Sequence, residues 1–80
     1  MSQFTPDDFD VDLRERKVIH KPSGMWFSFY EYNTEDDWKD STSVIYRDNP
    51  DWPGDRRELA AAAKHAAVAK GMTARKPMHQ

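Results

Sequence analysis

Cysteine is absent from this 80-residue chain, which excludes a disulfide framework and a thiolate metal site. Glycine is scarce, at three residues, and none of them builds a phosphate-cradling loop or frames a nucleophile turn. Ser41, Thr42 and Ser43 therefore lack the surroundings of a catalytic nucleophile, and His65 lies in a helical stretch. His20, His65 and His79 are too far apart in sequence to form a paired ligand spacing. Asp48, Asp51 and Asp55 are spaced somewhat like a calcium loop, but prolines interrupt them and the closing glutamate is missing. No apolar run approaches the ~20 residues that span a bilayer. The opening Met1-Ser2-Gln3-Phe4 does not read as a secretory leader. A chain this short buries only roughly 60% of its unfolded surface, so function belongs on an outer surface. These absences predict a cytoplasmic, non-enzymatic protein with no metal, cofactor or membrane contact.

Aromatic residues are plentiful. Met25-Trp26-Phe27-Ser28-Phe29-Tyr30-Glu31-Tyr32 holds five of the ten aromatic side chains. Side chains alternate between faces along a strand, so Met25, Phe27 and Phe29 share one face, and Trp26, Tyr30 and Tyr32 the other. This segment predicts the middle strand of a small sheet. Upstream, Thr5-Pro6-Asp7-Asp8 predicts a short helical turn. Phe9, Val11 and Leu13 then alternate with charged residues at the strand period. Val18 breaks that parity, so this one strand either carries a bulge near Arg16-Lys17 or exposes its second half on both faces. Lys21-Pro22-Ser23-Gly24 predicts the turn of an antiparallel hairpin. Asn33-Thr34-Glu35-Asp36-Asp37 reads as a polar loop. A third strand of about seven residues within 38–47 ends in Val44-Ile45-Tyr46, with Lys39 and Asp40 guarding its edge.

Two prolines and a glycine in residues 48–54 predict a loop. Asp55 then caps a helix over residues 56–70, with Glu58 at capping-box spacing and Gly71 as the stop. At about 100° per residue, Leu59, Ala62, Ala63, Ala66 and Ala67 cluster, and Val68 points away. An alanine stripe buries little area, but it lets the helix backbone approach a bulky aromatic sheet. Ala61, Val68 and Met72 form a second apolar strip, a candidate dimer contact. The expected fold is α+β: a three-stranded antiparallel sheet, in β-β-β-α order, with one Ala-rich C-terminal helix on one face. It occupies residues 1–75 as a single domain, with 76–80 a disordered tail.

Net charge is −2, split as −5 over residues 1–40 and +3 over residues 41–80. Glu15-Arg16-Lys17 after an Asp-rich stretch matches the acid–Glu–Lys pattern of magnesium nucleases only superficially; those sites need a larger scaffold, and the tripeptide reads as exposed charged strand. Arg56 and Arg57 at the start of an Ala-rich final helix loosely resemble double-stranded-RNA-binding domains, whose final helix contacts phosphates there. The third basic position of that pattern is Ala60, and the family's first helix is missing. The resemblance implies a nucleic-acid module using Arg56, Arg57, Lys64 and Lys70. The acidic balance argues instead for a small interaction protein. In that reading Glu35, Asp36, Asp37 and Asp40, with Trp38 and Trp52 as anchors, meet a basic protein surface. By size and charge the class is similar to phage inhibitors of the anti-CRISPR kind. Trp26, Tyr30 and Tyr32 add a bare aromatic face for a partner or a homodimer.

Overall fold

The computed structural model describes residues 5–41 and 44–75. It is an α+β fold with a four-stranded antiparallel sheet in the order β1 (Phe9–Asp12), β2 (Lys17–His20), β3 (Met25–Phe29) and β4 (Val44–Arg47). Two helices accompany it, α1 (Glu35–Asp40) and α2 (Arg56–Ala69). A 3-10 turn at Pro6–Asp8 leads into β1, as Thr5-Pro6-Asp7-Asp8 implies.

The expected first strand is two strands. Asp12 Oδ1 accepts from the backbone N–H groups of Arg14 at 3.0 Å and Glu15 at 3.1 Å, an aspartate-capped turn that competes with extended backbone. Arg16 completes the reversal with φ of 54°. The shift in apolar parity from Phe9 and Val11 to Val18 is therefore a turn between antiparallel strands, and no bulge is needed. Phe9 pairs with His20, and Val11 with Val18. The second hairpin sits where residues 21–24 place it, and His20 pairs with Met25.

The polar loop and the start of the expected third strand are also revised. Thr34 caps α1, its Oγ1 accepting from Asp37 N–H at 3.1 Å, and three acids occupy the first turn. Both features suit a helix N-terminus. Trp38 is the one large apolar side chain in the six-residue helix, and its burial fixes the helix to the core. Lys39 and Asp40 consequently lie on a helix. The last strand is four residues long.

The α2 helix agrees closely with its sequence signals. Asp55 Oδ1 accepts from Arg57 N–H at 2.8 Å and Glu58 N–H at 3.4 Å. At the other end Gly71 takes φ of 103°. Gly71 N–H donates to Val68 O at 3.0 Å and Met72 N–H to Ala67 O at 2.9 Å, the paired bonds of a Schellman stop. Leu59, Ala63, Ala66 and Ala67 are buried, and Val68 is exposed. The helix lies over β2 and β1. Met72 leaves the expected strip with Ala61 and Val68, because the turn at Gly71 sends its side chain into the core. Ala74 follows it there. The proposed tail at 76–80 lies outside the described residues.

Arg16 ties these pieces together. Its Nε donates to Phe29 O at 3.2 Å and its Nη2 to Tyr30 O at 3.0 Å, while Nη1 donates to Thr73 O. The guanidinium also lies 4.9 Å from the Trp38 ring centre. Only 2% of this residue is exposed. Burial pulls its pKa below the ordinary arginine value, and Glu31 and Glu35 pull it back; an arginine so placed stays charged. Arg16→Ala leaves three carbonyls without their donor, so urea denaturation should show a loss of about 2–4 kcal/mol. Lysine cannot reproduce the fork, so Arg16→Lys recovers less than half of that loss, whereas exposed Arg14→Ala stays within about 0.5 kcal/mol of wild type.

Candidate interaction surfaces

Antiparallel register sorts the strand side chains onto two faces. Phe9, Val18, His20, Met25, Phe27 and Phe29 face the core and are buried. The outer face carries two rows set by the pairing. Asp10, Ile19, Trp26 and Arg47 form one row, and Asp12, Lys17, Ser28 and Ile45 the other. No element packs across this face among the described residues. Ile19 and Ile45 are exposed, and Tyr30 just beyond β3 is 48% exposed. Lys17 Nζ stands 4.9 Å from the Trp26 ring centre, so the indole is half-buried by a cation on one side.

The expected aromatic face is thus altered in membership. Trp26 and Tyr30 belong to it, but Tyr32 does not. Regular alternation ends at Phe29, and Tyr32 N–H donates to Ala74 O at 2.8 Å. That bond turns the phenol ring toward Trp38, with ring centres 6.1 Å apart. Ile19 and Ile45 were not identified from sequence as surface residues. Strand pairing alone places them beside Trp26.

Two expected anchors are internal. Trp38 is 2% exposed and meets Phe29 edge-to-face at 5.7 Å. Trp52 is half-buried and edge-on to His20 at 5.3 Å. Its buried indole N–H has no acceptor among the described residues. A β-carbon on Gly54 would come within 2.5 Å of that nitrogen, so glycine is required for the loop to close over the ring.

Of the basic set, Arg56 and Lys64 also have internal duties. Arg56 donates to the carbonyls of Asn49, Trp52 and Gly54, each at 2.6 Å, and its Nε to Asp48 Oδ1 at 2.9 Å. It organises the loop ahead of α2. Lys64 Nζ donates to Trp38 O and to Ser41 O, the latter at 2.8 Å, capping the C-terminus of α1. It also sits 4.4 Å from the Trp38 ring centre. Burial lowers its pKa, partly offset by Asp40. Arg57 and Lys70 alone of the four remain exposed, so the structure does not assemble the phosphate-binding stripe that the four positions implied.

Acids behave in the opposite way. Every Asp and Glu except Asp8 is exposed. Asp36, Asp37 and Asp40 decorate the outside of α1, and Glu31 pairs at 3.5 Å with exposed Arg75. Glu35 has a structural share, its Oε2 accepting from Ala74 N–H at 2.9 Å. An open groove of about 960 Å³ lies between α2 and β4, lined by Phe29, Val44, Ala61, Lys64, His65 and Val68 among others. Among the described residues there is no cluster of three or more metal-ligating side chains, and no helix is long and apolar enough to cross a membrane. Comparisons with protein-family models, curated proteins and solved structures find no match for this chain.

Two measurements probe these internal contacts. Lys64→Met removes the donor to α1 and should cost about 1–3 kcal/mol in urea denaturation followed by tryptophan fluorescence; Lys70→Met should change stability by less than about 0.5 kcal/mol. Equal values would show that α1 docks through Trp38 alone. The second concerns His20, 2.8 Å from Ser23 Oγ, whose pKa burial lowers from 6.5 against a weaker upward pull from Asp8. The unfolded chain therefore takes up this proton more readily than the folded one. Stability from neutral His20 is fully present above the unfolded pKa and declines as pH falls through it toward the folded value. The melting temperature should drop between about pH 7.5 and 5, and His20→Asn should flatten that slope.

Proposed function

We propose that this chain is a non-catalytic interaction protein that docks on a basic surface of another protein through its α1 end. Tyr30, Glu31, Asp36, Asp37 and Asp40 form the contact. One observation carries the reading: the fold engages Arg16, Arg56 and Lys64 internally while it leaves nearly all of its acids outward. Arg16, Arg56 and Lys64 donate to backbone carbonyls, whereas thirteen of the fourteen carboxylates are exposed. The surface is accordingly more acidic than a net charge of −2 suggests. A concentrated carboxylate field steers association with a cationic partner and sets its orientation. Tyr30 supplies exposed aromatic area of the kind that anchors such contacts.

In its most concrete form the reading is a phage-type inhibitor, of the anti-CRISPR kind, that covers the basic groove of a nucleic-acid-handling protein. Its support is the chain's size, the acidic exterior and the exposed Tyr30. The nucleic-acid reading loses support because Arg56 and Lys64 are already engaged.

The immobilised chain should retain a basic nucleic-acid-handling protein, and the triple reversal Asp36→Lys, Asp37→Lys, Asp40→Lys should weaken capture at least tenfold, on the order of 1.4 kcal/mol. Raising salt should weaken it as well. A gel-shift titration with RNA and DNA at low salt should show no complex. Salt-sensitive nucleic-acid binding abolished by Arg56→Ala and Arg57→Ala would overturn the proposal.

A further inference from the structure

We propose that the outer sheet face is a self-association surface, on which a second copy of this chain packs sheet against sheet. One row of the register carries opposite charges at its two ends. Across the four strands, Asp10 pairs with Ile19, Ile19 with Trp26, and Trp26 with Arg47. Read from β1 to β4, that row runs acid, apolar, apolar, base. Such an order is complementary to itself under one symmetry operation. A two-fold axis parallel to the strands, passing between β2 and β3, sets β1 over β4 of the second copy and β2 over β3. Asp10 then faces Arg47 of the second copy, and Ile19 faces its Trp26. Each contact occurs twice. The second row places Asp12 over Ile45 and Lys17 over Ser28, so no like charges are brought together.

Every side chain in this row is available. Asp10, Ile19 and Arg47 are exposed, and Trp26 is half-buried. A face that is apolar at its centre and charged at its rim has the anatomy of a protein interface. Two sheets of ordinary twist stack in this aligned way. The alternative two-fold, perpendicular to the strands and centred between the two rows, would put Asp10 over Asp12 of the second copy, twice, and Ile19 over Lys17, which like-charge repulsion and a buried lysine disfavour. The face measures roughly 19 Å by 13 Å from strand spacing and rise. That is smaller than a standard interface, so association is weak, with a dissociation constant on the order of 100 µM. It uses residues apart from the α1 end, and a pair would present two acidic ends.

Sedimentation velocity over roughly 10 µM to 1 mM, bracketing that constant, tests the proposal. The weight-average mass should rise from the 9.4 kDa of one chain toward twice that value. Asp10→Arg alone and Arg47→Asp alone should each weaken association at least fivefold, because each creates a like-charge pair twice. The double variant Asp10→Arg, Arg47→Asp should recover it. An equimolar mixture of the two single variants should recover it too, since each chain then meets its complement. Three strand spacings, roughly 14 Å, separate Asp10 from Arg47 within one chain, so recovery cannot arise internally. Circular dichroism melts of the surface variants should match wild type. A monomer at all concentrations, or self-association indifferent to both reversals, overturns the proposal.

Discussion

The guanidinium of Arg16 is the contact on which the rest of this fold depends. It belongs to the turn between β1 and β2, yet its donors end on the last residue of β3, on the residue after it, and on Thr73 beyond α2. Its plane meets Trp38 of α1. Four separate segments are therefore held by one side chain. A buried cation is tolerable only when its donors are matched, and here backbone carbonyls match them. Those carbonyls lie at the end of β3, on the residue after it and in the segment that follows α2. The arginine thus solves a problem for the backbone while the backbone solves the desolvation problem of the arginine. The unusual φ of Arg16 is a strained conformation for a non-glycine residue, and the side-chain bonds offset that strain.

The same logic recurs at Lys64 and Arg56. Lys64 caps the carbonyl end of α1, a helix too short to be stable alone, and covers Trp38. Arg56 gathers the carbonyls of the proline-rich loop before α2. In a chain without disulfides and with a small alanine-rich helix, these cations act as internal ties between irregular segments. Their withdrawal leaves a carboxylate-rich exterior. Stability and surface character are in this way two consequences of one arrangement, and net charge alone misstates the second.

How much of this was legible in the sequence follows from how local each signal is. The α2 helix was readable at both ends because Asp55 and Gly71 act within a few residues of themselves. The covered face of β3 was readable from alternation. The four-residue turn after Asp12 has a parity signature that equally fits a bulge, and only pairing between β1 and β2 distinguishes them. α1 was hidden by polarity: Thr34-Glu35-Asp36-Asp37 reads as a loop until Trp38 is buried. Burial of Trp38 depends on Arg16, Phe29 and Lys64, none of them within its own helix. The internal roles of Arg16 and Lys64 span 57 and 26 residues of chain, and no local pattern encodes such contacts. Trp38, Tyr32 and Lys64 turn inward through such distant contacts, and nothing near them in sequence marks it.

One helix cannot cover two faces of a sheet. Here α2 lies over β1 and β2 and Trp38 closes the far end of β3, so the outer face is left to solvent. A polar outer face would be the ordinary outcome for an antiparallel sheet of this kind. This one departs from it at the centre, where Ile19 and Trp26 stand side by side, and conforms at the margins, where Asp10 and Arg47 stand. Solubility alone would not require the two margins to carry opposite signs, since like charges on both would serve as well. Opposite signs on the margins and apolar residues between them are what a two-fold pairing parallel to the strands requires. The acids of α1 lie outside that face, so the proposed pairing would leave Asp36, Asp37 and Asp40 uncovered for the proposed basic partner, with Tyr30 at the border of the two surfaces. A weak pair of this geometry would gain avidity for any partner that offers two basic sites, without a new contact in either chain.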